Sequence, residues 1–389
     1  MPSLPEPGAS ALEHSHAVGA AIAAGIAAAG GWISFARYME LALYAPGLGY
    51  YSAGLDKFGA GGDFVTAPEI SPLFGRSLAH QAAQVLRQSG GNILETGAGS
   101  GKLALDLMQE LERLEQLPER YFILELSADL RQRQQQRVGR EAAHLLGRFE
   151  WLDALPDKFT GLVLGNEVLD AMPVELVTWR PGSISERGVA LQDGRLAWSE
   201  RALAPGGLLE QARALPPAQF VSGGAAYTSE INIAAQGFIC SLSQMLERGV
   251  ILMLDYGFGE SEYYHPQRSQ GTLMCHYRHQ AHADPFFLPG LQDITAHVDF
   301  SAMARAGRES GLDLLGYASQ ANFLINCGLT GLLGQISPED PASYLPVVAQ
   351  VQKLMSPSEM GELFKAIALG RGMEPPLSGF TRGDRSHTL

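Results

Sequence analysis

An α/β fold with a parallel sheet covered by helices on both faces is what this sequence predicts, from three observations. Short apolar runs alternate with amphipathic segments between residues 92 and 257. Glycines occupy alternate positions after the first of these runs, in "ILETGAGSGKLAL" (93–105). Acidic residues recur where successive runs end. Apolar strands that alternate with helices are the signature of a parallel sheet buried on both sides.

The elements follow in order. The chain has 389 residues, 46% hydrophobic and 18% charged, enough for a sizeable core in one elaborated domain or two. Residues before about 15 are expected to be disordered. "AVGAAIAAGIAAAGGWI" (17–33) carries no charge, but Ala and Gly make it barely apolar enough for a bilayer, and it is short for one. Val18, Ile22 and Ile26 recur every four residues, the stripe of a helix buried on one face. No Lys or Arg precedes it, unlike a signal peptide or mitochondrial presequence. "SFARYMELALY" is a second helix, stopped by Pro46 and Gly47. Residues 46–75 form a Gly- and Pro-punctuated loop, and long loops inside compact domains are often functional.

A helix is expected over 76–88, then strand 92–96, helix 102–115 and strand 120–126. "ADLRQRQQQRV" continues as a helix whose basic run reads as a solvated face. Strand 159–168 follows, then helix 229–246 with Ser229 as its N-cap, then strand 249–257. Two segments interrupt the alternation. Residues 176–225 hold two runs around Asp193-Gly194, the mark of a hairpin and of an inserted β arm. Residues 331–389 hold a helix near "PSEMGELFKAIALG" and a polar tail. Repeats and low-complexity linkers are lacking, which favours one elaborated domain.

Charge and cysteines narrow the function. A net charge of -13 and a pI of about 5.2 argue against nucleic acid as a partner, which needs a basic surface. Cys240, Cys275 and Cys327 are few, odd in number and widely spaced, so a reducing compartment is expected rather than a disulfide framework.

The glycine loop has three candidate ligands. A triphosphate loop ending at Gly101-Lys102 would need glycine where Thr96 stands and a hydroxyl where Leu103 stands. A dinucleotide loop needs G-x-G-x-x-G, but the spacing is G-x-G-x-G, and Glu95 just before it helps no phosphate. The third ligand, S-adenosylmethionine, fits E-x-G-x-G-x-G at Glu95, Gly97, Gly99 and Gly101. Glu95 would face its ammonium group. Glu125, at the end of the second strand, can accept from both ribose hydroxyls, and Asp153, where a third strand would end, from the adenine amino group. All lie at strand carboxyl ends, where open α/β sheets bind ligands.

Asn166, Glu167 and Asp170 follow the apolar "LVLG" directly. Such polar groups are costly to bury unpaired, so they belong in a site. Next to a sulfonium methyl they could position a nucleophile and take up its proton. Carboxylates suit an amine or guanidinium there. A second polar cluster, residues 271–300, holds Cys275, His276, Tyr277, His279, His282, Asp284, His297 and Asp299. It reads as a loop. Substrate or lid contacts from Tyr277, His279, His297 and Asp299 are favoured over a metal site, because the usual pairing of zinc ligands is missing.

Together these motifs resemble the MidA-type family of S-adenosylmethionine-dependent methyltransferases, whose mitochondrial members are protein arginine methyltransferases that help assemble respiratory complex I. The resemblance rests on "FARYMELALYAPGLGYY", "GDFVTAPEISPLFGR", "ETGAGSGKLALDLM", "GNEVLDAMPVE", "LDYG", "DITAHVDF" and "MGELFKAIALGRG". It implies a Rossmann-like class I fold with a seven-stranded, mostly parallel sheet and an antiparallel hairpin at its edge. Residues 1–75 would be a helical cap and cofactor-covering loop, and 76–389 the methyltransferase core with the β insertion and a C-terminal helical tail. Residues 62–71 would close over the cofactor through Thr66 and Glu69. Gly97, Gly99, Gly101 and Glu125 would bind it, with Leu126, Asp153 and Ala154 beside them. Asn166, Glu167, Asp170, His297 and Asp299 would line the acceptor side. The expected function is methylation of a protein side chain, arginine first, in a cytoplasmic protein that binds neither membrane nor nucleic acid. A small-molecule acceptor and a cofactor-binding assembly factor without turnover are the alternatives. The inserted arm would serve a homodimer or substrate recognition.

Overall fold

The computed structural model describes residues 4–53, 65–221 and 225–389, without the side chain of 220. Residues 62–64 of the expected cofactor-covering segment lie outside this range. The chain divides into two compact units whose segments alternate along the sequence. The sheet unit comprises Val65–Val168, Gly237–Phe258 and Phe300–Leu389; the second unit comprises Met1–Phe64, Leu169–Gln236 and Gly259–Asp299. Each therefore draws on sequence from both sides of residue 75, because the chain leaves the sheet unit after strand four and returns twice.

In the sheet unit the strands are β1 (Asn92–Thr96), β2 (Tyr121–Leu124), β3 (Phe149–Leu152), β4 (Phe159–Asn166), β9 (Leu246–Phe258), β13 (Asp313–Ser319) and β14 (Phe364–Arg371). They lie side by side in the order β13-β14-β9-β4-β1-β2-β3. The pairs from β3 through β9 are parallel, whereas β14 runs antiparallel to both β9 and β13. The sheet is thus mixed. The chain runs outward from β1 to β3, then returns to the other side of β1 at β4. That reversal is the switch point where strand carboxyl ends leave a crevice.

Helices α3 (Ala67–Ile70), α4 (Pro72–Ser89), α5 (Lys102–Arg113), α6 (Ala128–Glu141) and α8 (Phe300–Glu309) accompany this sheet. Helix α4 starts four residues before the expected point. Ser71 accepts from the Leu73 amide and Pro72 occupies the first turn, a start that needs no extra donor. It ends at Gly90, in the left-handed region at φ 68°. Its buried Leu73, Phe74, Leu78, Ala82 and Leu86 join Leu103, Leu107, Met108 and Leu111 of α5 in one core.

The second unit opens with α1 (Ala9–Ala28) and α2 (Phe35–Tyr44). Val18, Ile22 and Ile26 are buried together with Phe35, Tyr38, Val174 and Ile294. Residues 9–14, expected to be disordered, are helical, and the His14 ring bonds the Leu48 carbonyl. Strands β5 (Glu175–Arg180), β6 (Ser183–Gln192), β7 (Arg195–Ala202) and β8 (Tyr227–Ile231) form an antiparallel sheet. Asp193 and Gly194, both at positive φ, close the β6–β7 hairpin as the sequence predicts. A small sheet joins β10 (Met274–Tyr277), β11 (Gln280–His282) and β12 (Asp293–Thr295).

Several expectations change. Ser229 is not an N-cap: it lies within β8, and helix α7 (Ile233–Met245) starts later, with Asn232 accepting from the Ala235 amide. "FKAIALG" is strand β14, not helix. Its Phe364–Gly370 residues are all buried, so it lacks the alternation that separates strand from helix. Residues 271–300 are not loop throughout: β10, β11 and β12 lie among their turns. In the β10–β11 hairpin His282 pairs with Cys275, one position off His276, so the two histidines point to opposite faces. Helix α9 (Pro341–Met355) precedes β14. Among the described residues no helix is long and apolar enough to cross a membrane.

One close approach sets the α4–α5 distance. A Cβ on Gly75 would lie 2.7 Å from the Asp106 Cβ. Gly75→Ala should therefore destabilise the protein by about 2 kcal/mol through overpacking, read as a lower urea midpoint at unchanged slope. An unchanged midpoint would show that the helices separate freely.

Candidate functional site

In the sheet unit, the crevice is built first by the glycine loop. Gly97, Gly99 and Gly101 have φ of 66°, 51° and 77°, a run that residues with a Cβ avoid. A Cβ on Gly97 would meet Val168 at 3.0 Å, and one on Gly101 the Gln134 side chain at 3.2 Å. The loop thus turns sharply out of β1 and presents bare backbone at the start of α5.

Helix α6 holds this loop against the next two strands. Gln134, fully buried, donates to the Gly99 carbonyl at 2.9 Å and to Glu125 Oε2 at 3.1 Å, and accepts from Trp151 Nε1 at 2.8 Å. Glu125 also accepts from the Ser127 amide at 2.9 Å. Burial raises its carboxyl pKa, against the pull of those donors and of Arg131. Arg131 Nη2 donates to the Glu125 carbonyl, the Leu152 carbonyl and Asp153 Oδ1 at 2.9, 3.2 and 2.5 Å. The "LRQRQQQRV" helix is accordingly not a plain solvated face. Its polar side chains are long enough to reach backbone at the strand ends, and periodicity cannot tell such a glutamine from an exposed one.

The remaining candidates on this side are distributed as follows. Glu69, in the first turn of α3 after its N-cap Thr66, accepts from the Ser100 hydroxyl and lies 3.5 Å from Arg137. Glu95 is buried and accepts from the Tyr121 hydroxyl at 2.9 Å. Leu126 is 80% exposed, an unusual position for leucine and a fit to the flat apolar face of an adenine. The Asp153 side chain is 86% exposed, and Ala154 beside it is exposed too.

At the end of β4, Asn166 Nδ2 donates to Glu167 Oε1 at 3.0 Å, while the buried Asn166 Oδ1 has no partner among the described residues. Glu167 sits at φ 54°, a strained conformation for its residue type, with its amide bonded to the Leu254 carbonyl at 2.9 Å. Its carboxylate also accepts from the Ala67 amide at 3.4 Å, so the residue is tied to the start of α3. Asp255, fully buried at the end of β9, accepts from the Val168 amide at 3.2 Å and the Tyr256 amide at 2.9 Å. The glycines, Glu125, Asn166 and Glu167 therefore stand at the carboxyl ends of β1, β2 and β4, as a nucleoside ligand with a reacting group requires.

Asp170, His297 and Asp299 belong to the second unit. Asp170 is buried, and its carbonyl accepts from the Ala296 amide at 3.0 Å. Beside it the Tyr44 hydroxyl donates to the Ala171 carbonyl at 2.9 Å, and Tyr51 donates to Asp293 Oδ1 at 2.9 Å. The Tyr44 and Tyr51 rings stack at 5.4 Å. Burial, then the Asp293 charge, then other neighbours including Asp170, raise the Tyr51 phenol. Asp170 and Asp293 thus share one aromatic neighbourhood. His297 donates its amide to Thr272 Oγ1 at 3.0 Å, and Asp299 lies near enough to Tyr264 to raise its phenol after burial. Sequence reasoning missed Arg131, Gln134, Arg137, Asp255 and Asp293. Asp255, in "LDYG", and Asp293, in "DITAHVDF", lay in motifs already singled out, whereas Arg131, Gln134 and Arg137 lay in the basic run read as a solvated face.

Burial lifts the Glu95 carboxyl to about 8, with the Tyr121 bond opposing and the Glu125 charge adding. A carboxyl raised in the folded state costs stability as pH rises from its unfolded value toward that figure. Glu95→Gln should remove this loss, leaving the ligand-free protein more stable than the parent by on the order of 2 kcal/mol at pH 8 and equal to it near pH 4. Urea unfolding at both pH values checks this. A variant less stable at pH 8 would contradict it.

Residues 76–318 match the family described as "Putative S-adenosyl-L-methionine-dependent methyltransferase". A solved structure from Burkholderia thailandensis, bound to S-adenosyl-homocysteine, is 52% identical, with all of both chains covered and a TM-score of 0.95. The mitochondrial protein arginine methyltransferase NDUFAF7 homolog of Drosophila melanogaster is 29% identical over 377 residues, 88% of this chain and 82% of its own. The Homo sapiens protein arginine methyltransferase NDUFAF7, mitochondrial, is 27% identical over 370 residues, 87% of this chain and 80% of its own. The chain belongs to the MidA-type family of methyltransferases, enzymes whose cofactor is S-adenosylmethionine.

Proposed function

We propose that this enzyme methylates an arginine side chain of a protein. The observation that carries the reading is the pairing of Asp170 and Asp293 with the stacked Tyr44 and Tyr51. Buried carboxylates in the neighbourhood of stacked aromatic rings favour a planar cation, and a guanidinium can use both at once. The names of the relatives from fly and human support the same acceptor. The strand order, with β14 alone reversed, supports reading this mixed sheet as a class I arrangement.

On this reading Gly97, Gly99 and Gly101 face the cofactor with bare backbone, Glu125 takes the ribose hydroxyls and Leu126 covers the adenine. Thr66 and Glu69 line the cofactor from α3, Glu95 answers its ammonium group through space, and Asp153 and Ala154 flank the adenine edge. Asn166 turns its Oδ1, which has no partner among the described residues, toward the acceptor nitrogen and aligns its lone pair. S-adenosylmethionine supplies an electrophilic methyl group. A guanidinium keeps its proton at any pH a protein meets, so the nitrogen becomes a nucleophile only as a carboxylate shares that proton. In the sheet unit Glu167 is the candidate for that role; in the second unit the candidates are Asp170 and Asp299, with His297 to pass the proton on.

Labelled S-adenosylmethionine incubated with the enzyme and a cell lysate should place label in protein, recovered as methylarginine after hydrolysis. Label confined to small molecules would replace the arginine reading with a metabolite acceptor. No label, with cofactor binding intact, would leave an assembly factor without turnover. Asp170→Asn should lower kcat by about 100-fold while S-adenosylhomocysteine affinity stays within about twofold, since proton sharing acts in the chemical step. Normal turnover in that variant would take Asp170 out of the reaction.

A further inference from the structure

Gln134 occupies a place that neither the glycine loop nor the ribose carboxylate explains. It is a glutamine of zero exposure on a helix whose other buried residue is Val138, with hydrogen bonds to three separate elements. The chemistry of those partners fixes its orientation. The Trp151 indole N–H can only donate, so it must meet the amide oxygen. The Gly99 carbonyl can only accept, and the Glu125 carboxylate accepts when ionised, so they must meet the two hydrogens of Nε2. Both amide hydrogens are thereby given and the oxygen accepts one, with no freedom to flip. Its aliphatic part closes over Gly101, where a Cβ would lie 3.2 Å from Cγ.

We propose that Gln134 is a positioning residue for the cofactor ribose, locking the Glu125 carboxylate in register with the Gly99 backbone so that both face one nucleoside. This rests on the assignment of Glu125 to the ribose hydroxyls. One nitrogen sets the distance between the loop after β1 and the acid after β2. A carboxylate pointed elsewhere would hydrogen-bond one hydroxyl or none. The Ser127 amide holds the other oxygen of Glu125, at 2.9 Å, so two fixed donors define the carboxylate plane.

The test is calorimetric titration of S-adenosylhomocysteine and its 2′,3′-dideoxy analogue into the full-length protein. Gln134→Glu keeps the shape and the Trp151 bond but turns both donors into an acceptor. It should weaken S-adenosylhomocysteine by about tenfold or more and the dideoxy analogue by less than about threefold. In a Glu125→Ala background the same substitution should add less than about twofold. Gln134→Met, which keeps volume and loses all three bonds, should repeat the pattern if Gln134→Glu folds poorly. Equal losses for the two ligands would mark Gln134 as a packing residue and overturn the proposal. So would unchanged affinity in both Gln134 variants while Glu125→Ala weakens binding. If Glu125→Ala itself leaves S-adenosylhomocysteine binding unchanged, the ribose assignment falls and the proposal with it.

Discussion

The chain leaves strand β1 through three glycines at positive φ, and the strand-end side of the sheet unit depends on that turn. Only residues without a Cβ take these dihedrals without strain, and only their absence of side chain lets Val168 and Gln134 come as near as they do. Because β1 sits where the strand order reverses, the turn opens into the crevice between β1 and β4 rather than onto a covered edge. Apart from Thr66 and Glu69 at α3, the groups named on that side lie at a strand end or on the helix that follows it. Helix α6 then fixes the spacing, since Arg131 and Gln134 join β1, β2 and β3 through backbone carbonyls and carboxylates.

The buried carboxylates show how environment sorts similar groups into different tasks. Glu230 accepts from the Thr272 and Leu273 amides at 2.8 and 2.9 Å, and Asp255 from two amides as well. Backbone donors compensate for lost hydration, so these two acids tie segments together. Glu95 accepts from one tyrosine, and burial prevails, which lifts its pKa. An acid in that condition gains most from a cation brought beside it. The same principle separates Asp293, held by the Tyr51 hydroxyl, from an idle surface acid.

Sequence and structure agree best where local chemistry decides. The Asp193-Gly194 hairpin, the stripe Val18–Ile22–Ile26 and the strand–glycine–helix unit at 92–113 depend on residues a few positions apart. They disagree where burial on all sides erases periodicity. Strand β14 reads as a helix because Phe364, Ala366, Ile367 and Ala368 are covered on both faces. Ser229 looks like a cap because a polar residue before an apolar run usually is one, but it lies inside β8 at zero exposure.

The sequence by itself determined the α/β class, the glycine turn and the acids at strand ends, because dihedral preference and apolar patterning are written in short spans. Tertiary structure alone decided which distant side chains meet. Gln134 became a bridge between Gly99 and Glu125, 35 and 9 residues away in the chain. Asp293 joined Tyr51 across 242 residues. Such contacts depend on how strands are ordered and how the units are assembled from separate segments, and no local pattern carries that order.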